Sequence, residues 1–348
     1  MYSSFGGRCT HFALSFSSSF STVDENAVKN AKRAIHLNVA NNAMKTLMYI
    51  LTISTLISCQ TKSQKRKDLN MESRFFTTQE FNDNFGKEMV SSQDVYENMK
   101  KDGLQDYQYC KFDFDYISDS KEKLDSLREF FIEHYGFEME ETKKVDGNWN
   151  LWGNATKFPV DSDNLLFWAL DLYLKGFRFD CRLNGYGAIV DKPEFPDLDT
   201  SKADFYFDEA MKAYNNQNTG LAIIHWSTVL KIDPKDANSY YSRAIAKNEL
   251  FTWKAALRDY NKAIEIEPRF FKALVNRGAT KDESGDYHGA IEDYNKAIEI
   301  KPDDPGVYLN RGNTKFNMGD NTGACSDWNK AKKLGVEYAD ERIKKYCK

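Results

Sequence analysis

A 34-residue period dominates the C-terminal part of the chain. Ala222, Ala256, Ala290 and Ala324 fall in register, and the aromatics Trp226, Tyr260, Tyr294 and Trp328 each follow four residues later. Tyr206, Tyr240, Leu274 and Tyr308 form another column. The small residues Ala210, Ala244, Gly278 and Gly312 form a fourth, and Pro234, Pro268 and Pro302 close three of the units. Repetition at this period restricts the chain to a stacked architecture, because one unit cannot bury its own apolar face and several stacked units can. Each unit is predicted to be two antiparallel helices. The small residues sit where helices approach closely, the aromatic fills the gap to the neighbouring unit, and proline, lacking an N–H, ends the second helix. The units span 203–337, with a capping helix over 338–348.

These columns resemble the tetratricopeptide (TPR) repeat. The resemblance implies an all-α solenoid with a concave groove, lined by the first helix of each unit, in which extended peptides or partner helices dock. Three further columns bear on that groove. Arg243, Arg277 and Arg311 recur at the seventh position, and Lys247, Lys281 and Lys315 at the eleventh, one helical turn later. Asp259, Asp293 and Asp327 recur at the twenty-third, on the second helix. The basic columns can form a partner groove that clamps an acidic tail, or they can pair with the aspartates between helices. The first unit carries Glu209, Ala213 and His225 at these positions. Acid and bases disappear together there, which pairing requires and a clamp does not.

The middle of the chain is acidic. Residues 71–200 hold 15 basic and 27 acidic side chains, a balance of −12, against +6 for 1–70 (9 and 3) and +2 for 201–348 (24 and 22). Such a block repels a polyanion, so no direct nucleic-acid binding is expected. Alternation from Tyr107 to Tyr116 predicts a half-buried strand with Cys110, Phe112, Phe114 and Tyr116 on one face. Leu124, Leu127, Phe130 and Phe131 predict a helix over 119–135. Two strands follow, joined at Asp146-Gly147, a hairpin signal. Asp161 or Ser162 caps a second helix through Leu165, Trp168 and Leu172. A last strand is expected through Phe177, Phe179, Cys181 and Leu183. The order predicts a four-stranded antiparallel sheet with two helices on one face. Lys101-Asp102-Gly103, Tyr135-Gly136-Phe137-Glu138 and Asn184-Gly185-Tyr186-Gly187, in this element order, resemble the RraB family of ribonuclease E regulators. That resemblance implies an α+β ferredoxin-like domain over 88–192 that binds another protein and performs no chemistry. It departs from the family in having Tyr186 in place of a tryptophan and the short linker 193–202 in place of a long acidic tail.

Near the N-terminus, Met44 and Lys45 precede the apolar run Leu47–Ile57, the size of a signal-peptide core and too short to span a bilayer. It ends in Leu56-Ile57-Ser58-Cys59, which resembles the lipobox of bacterial lipoproteins. The resemblance implies a signal peptide over 44–59 and a Cys59 thiol that takes a diacylglyceryl group. Acyl chains contributing about 0.8 kcal/mol per buried CH2 then anchor the chain to a membrane. The competing reading is a short buried helix ending in Cys. Residues 60–87 are expected to be a hydrated tether, and 1–43 an upstream extension of the reading frame. Gln60 is not the aspartate that signals inner-membrane retention in enteric bacteria, which favours the outer membrane.

The histidines are scattered, and no catalytic, cofactor or metal site is legible. Cys110 and Cys181 face the expected core on neighbouring strands, where they can pair as a disulfide or remain buried free thiols. Cys325 is expected to pack within a repeat and Cys347 to be exposed. The main functional expectation is a non-enzymatic adaptor, lipid-anchored at a bacterial envelope and facing the periplasm or exterior, with protein partners. Two alternatives stand beside it: a cytoplasmic regulator that inhibits a ribonuclease, and an enzyme whose site the sequence does not reveal.

Overall fold

A capping box starts the first helix: Thr77 Oγ1 accepts from the Glu80 N–H at 3.2 Å and Glu80 Oε2 accepts from the Thr77 N–H at 3.0 Å. The computed structural model describes residues 74–348 apart from 189, 191, 192, 338 and 348. Cys59, the lipobox residues Leu56, Ile57 and Ser58, and the expectations for 1–73 lie outside the described residues. The capped helix, α1 (Thr78–Lys101), begins inside the stretch expected to be a tether. The reason is aromatic. Phe76 and Phe81 are buried against Tyr173 and Phe177, and Asp180 accepts the N–H groups of Phe75 and Phe76 at 3.2 and 2.8 Å. Residues 74–87 are therefore part of the folded α+β region.

That region continues as β1 (Gln108–Cys110), β2 (Phe112–Ser118), α2 (Lys121–Tyr135), β3 (Glu138–Met139), β4 (Lys143–Val145), β5 (Asn148–Asn154), β6 (Phe158–Val160), α3 (Ser162–Arg178) and β7 (Arg182–Ala188). The main sheet has the order β3-β5-β2-β7, with β4 also on β5, and every pair in it is antiparallel. Asp146 and Gly147, both at positive φ, make the two-residue turn between β4 and β5 that the sequence predicts. Phe112, Phe114 and Tyr116 alternate to one face of β2. Phe131 of α2 and Trp168 of α3 meet Phe114 there, at ring separations of 5.8 and 6.2 Å, so both helices cover the same face.

Three expectations need correction here. The alternation from Tyr107 to Tyr116 is two strands, because β1 leaves the main sheet and pairs with β6. The apolar run Phe177-x-Phe179-x-Cys181 is not a strand. Helix α3 continues through Arg178, and β7 starts at Arg182. α3 is buried against the sheet through Trp168, against α1 through Tyr173 and Phe177, and against the repeats through Phe167, so apolar residues run around it and imitate alternation. The placement of Cys110 and Cys181 on neighbouring strands is the third: Cys110 lies opposite Phe158 in the separate β1–β6 pair, so of the two readings left open it is the buried thiols, outside any disulfide, that the structure holds.

Helical hairpins follow: α4 (Ala203–Asn215) with α5 (Thr219–Ile232), α6 (Ala237–Glu249) with α7 (Trp253–Ile266), α8 (Phe271–Glu283) with α9 (Tyr287–Ile300), and α10 (Pro305–Asn317) with α11 (Asn321–Lys333). α12 (Ala339–Tyr346) closes the described chain. Ala222, Ala256, Ala290 and Ala324 are fully buried, as are Tyr260 and Tyr294. Gly278 and Gly312 mark the close approach: a Cβ there would lie 2.8 Å from the Tyr294 ring and 2.7 Å from Trp328. Pro234, Pro268 and Pro302 each sit two residues beyond the end of a second helix.

The described residues form two compact units, 74–268 and 269–348. The division between these units falls between the second and third repeats. Within the first unit the α+β region is welded to the first repeat. Asp171, 1% exposed, accepts from Lys175 Nζ at 2.9 Å, Tyr135 Oη at 2.8 Å and the Gly220 N–H at 3.0 Å. A Cβ on Gly220 would stand 3.0 Å from Trp168 Cα, so a larger residue there would press α5 away from α3 by a few tenths of an ångström.

Candidate partner-binding site

The basic columns do not line an open groove. In each of the three repeats that carry them, arginine and lysine fold across onto the aspartate of the same hairpin. Arg243 donates through Nε and Nη2 to the two oxygens of Asp259, both at 2.8 Å, and Lys247 Nζ lies 3.0 Å from Oδ2. Arg277 and Lys281 hold Asp293 at 2.8, 2.5 and 2.9 Å. Arg311 and Lys315 hold Asp327 at 2.9, 2.7 and 2.8 Å. The reading of these six bases as a partner groove is corrected accordingly. The planar guanidinium matches the carboxylate bidentately, and lysine one turn later reaches the remaining lone pair.

The arginine has a further task that sequence reasoning missed. Its free Nη1 donates to the preceding hairpin's second helix: Arg243 to Ser227 Oγ at 3.0 Å and Arg311 to Asn295 Oδ1 at 2.6 Å. Ser227 and Asn295 stand at the same repeat position, so a polar column two residues after the aspartate was the available signal. One arginine thus fixes both the angle within a hairpin and the register between hairpins. The first repeat replaces the cluster with His225 stacked on Tyr206, ring centroids 6.1 Å apart, and burial lowers the His225 pKa to about 4.

Two cations around one carboxylate leave each cluster with a formal excess of one positive charge. The excess is most confined at Lys247, whose side chain is 4% exposed and lies 4.8 Å from the Phe167 ring centroid. Desolvation, then repulsion from Arg243, lowers its pKa to about 8 against the attraction of Asp259. On α10, Asn310 and Asn313 are 3% and 1% exposed, and the amide nitrogen of each is buried without a hydrogen-bond partner.

In the α+β region, an open depression of about 290 Å³ is lined by Lys111, Glu138, Asn154 and Lys157 among others. Lys111 is paired with Glu138 and Lys157 with Glu194. The Cys181 thiol is fully buried, and desolvation pushes its pKa up, away from nucleophilic use. Among the described residues, no group of three or more His, Cys, Asp or Glu is placed to hold a metal ion. No described helix is long and apolar enough to cross a membrane.

The one disulfide among the described residues joins Cys325 on α11 to Cys347, immediately after α12. Cys325 packs within the repeat as expected, whereas Cys347, expected to be exposed, is half-buried and bonded to it. The pair lies against the cluster formed by Trp328, Phe316, Ile343 and Tyr346.

Residues 283–334 match the family model described as TPR repeat. No curated protein sequence matches the chain. Among solved structures, MamA is 22% identical over 40% of this chain and 81% of its own, with a TM-score of 0.38. PilF of Pseudomonas aeruginosa is 24% identical over 39% of this chain and 63% of its own, with a TM-score of 0.36. YrrB, described as a TPR protein with an unusual peptide-binding site, is 17% identical over 51% of this chain and 82% of its own, with a TM-score of 0.39.

Proposed function

We propose that the chain is a non-enzymatic adaptor, lipid-anchored at a bacterial envelope, whose repeats hold a protein partner. The observation that carries this reading is the use of the charged columns. The bases that would otherwise be available for chemistry or for clamping an acidic tail are consumed in building the hairpins, so within each unit neighbouring hairpins are held in fixed register. The first helices of such hairpins offer a partner their remaining, solvent-facing side.

The α+β region serves in this reading as a second docking surface. Its antiparallel strand order, β3-β5-β2-β7 with α2 and α3 on one face, supports the ferredoxin-like and RraB-like reading. The envelope location rests on the lipobox Leu56-Ile57-Ser58-Cys59. It is supported independently by the Cys325–Cys347 disulfide, since such bonds persist in oxidising compartments and are rare in the cytosol. The same bond weighs against the cytoplasmic ribonuclease regulator, which the sheet order alone would equally allow.

The experiment is metabolic labelling with a palmitate analogue, with Cys59→Ala as control, followed by crosslinking and capture of partners with the full-length membrane-extracted chain. Label lost in the control, with partners recovered by the wild type, is the expected result. A soluble, unlabelled wild type overturns the envelope reading.

A further inference from the structure

α12 is too short to stand alone. Eight residues make little more than two turns, well below the length at which an isolated helix is stable in water. It is held on α11 and α10 by a small apolar contact. Tyr346 lies 4.5 Å from Phe316 and 6.1 Å from Trp328 between ring centroids, Ala339 is fully buried, and Arg342 lies 5.7 Å from the Trp328 ring centroid. The ion pair Lys332–Asp340 is half-exposed and adds little. The strongest constraint is the covalent one at its far end.

The described cysteines differ sharply in access. Cys110 is 3% and Cys181 0% exposed, whereas Cys325 and Cys347 are both half-buried at the rim of the hairpin. Among the described cysteines, a reagent meeting the folded chain therefore reaches this pair and neither of the other two.

We propose that Cys325 and Cys347 are the site at which this chain undergoes thiol–disulfide exchange, with α12 as the element the exchange controls. In the oxidising direction a donor disulfide accepts two electrons. Its S–S bond breaks, its sulfurs leave as two thiols carrying the protons of Cys325 and Cys347, and the Cys325–Cys347 bond forms. In the reducing direction a dithiol supplies two electrons and two protons and becomes the disulfide. With the bond made, α12 lies over Trp328 and Phe316; with it broken, α12 is released and that apolar end of the unit is uncovered. The inference deepens the envelope reading, which it needs only for the source of oxidant.

The test is amide hydrogen exchange on the purified full chain, oxidised and then treated with dithiothreitol under native conditions. Closing a loop of this separation constrains the chain by an amount that corresponds to roughly a hundredfold in the opening equilibrium. Amides of 339–346 are therefore expected to exchange about a hundredfold faster after reduction, while those of β2 and β5 stay unchanged. Cys347→Ser is expected to show the fast exchange in both conditions, and Cys181→Ala to respond as the wild type does. Equal exchange in oxidised and reduced protein overturns the proposal, as does a Cys347→Ser chain that still responds to dithiothreitol. Neither outcome touches the lipid anchor, which the Cys59→Ala labelling tests separately.

Discussion

Replacing Asp293 separates a scaffold from a clamp. Its carboxylate is 1% exposed, accepts two hydrogen bonds from Arg277, at 2.8 and 2.5 Å, and forms an ion pair with Lys281 at 2.9 Å. Asp293→Ala leaves a guanidinium and an ammonium, 13% and 19% exposed, facing each other with no anion between them. Breaking a buried ion pair from one side costs about 3–5 kcal/mol, because the surviving charge remains desolvated. Here two charges survive, so the upper part of that range applies. In a unit of this size each kcal/mol moves the midpoint by about 4–8 °C, so a fall of more than about 10 °C is expected for residues 269–348. Thermal unfolding followed segment by segment by hydrogen exchange reads it. Lys262→Ala, which breaks the exposed Lys262–Glu265 pair, is the control and should leave the unfolding midpoint essentially unchanged, because solvent screens the pair. An Asp293→Ala chain that keeps its protection while losing a captured partner would refute the structural role and restore the clamp.

Other outcomes follow from the same clusters. The folded-state pKa of Lys247 is lowered to about 8, below its unfolded value of about 10.4, so the unfolded chain binds more protons between these values and stability rises with pH across that window. Lys247→Met leaves the bidentate Arg243–Asp259 pair intact; it should be neutral to about 2 kcal/mol stabilising near pH 7 and should abolish that alkaline gain in a pH series of melts. His225, with its pKa lowered to about 4 from about 6.5, makes the first repeat lose roughly 3 kcal/mol as pH falls through that interval; His225→Phe should flatten the acid limb. Cys347→Ser should cost about 3 kcal/mol in non-reducing buffer and nothing in reducing buffer, by the loop-entropy argument for a 22-residue separation, and paired melts with and without reductant check it.

The repeat region was legible because its period acts on every element at once. Ala222 to Ala324 and Trp226 to Trp328 had to face inward for any stack to form, and they do. The Arg–Asp pairing was legible from the first repeat, where acid and bases vanish together. The turn at Asp146-Gly147 was legible because two adjacent positive-φ residues suit few other uses. The parts that were not legible depend on which neighbour an element meets. α3 is packed on three sides, so its periodicity is erased and its end imitates a strand. Lys111 separates β1 from β2, and no local pattern says that β1 pairs with β6 instead. Cys325 and Cys347 meet because α12 turns back on α11, and the repeat pattern gives no rule for where a capping helix docks. The arginine's bond to Ser227 and Asn295 was missed for a related reason, since it joins positions in successive hairpins rather than within one.

The central claim, an adaptor held by lipid outside the cytosol, meets its most direct test in an intact-mass measurement of the protein extracted from cell membranes under non-reducing conditions. The account predicts a chain that begins at Cys59, carries an acylated glyceryl group there, and is two hydrogens lighter than the same chain after reduction because of the Cys325–Cys347 bond. An unacylated chain with every thiol reduced, recovered from the soluble fraction, would contradict it.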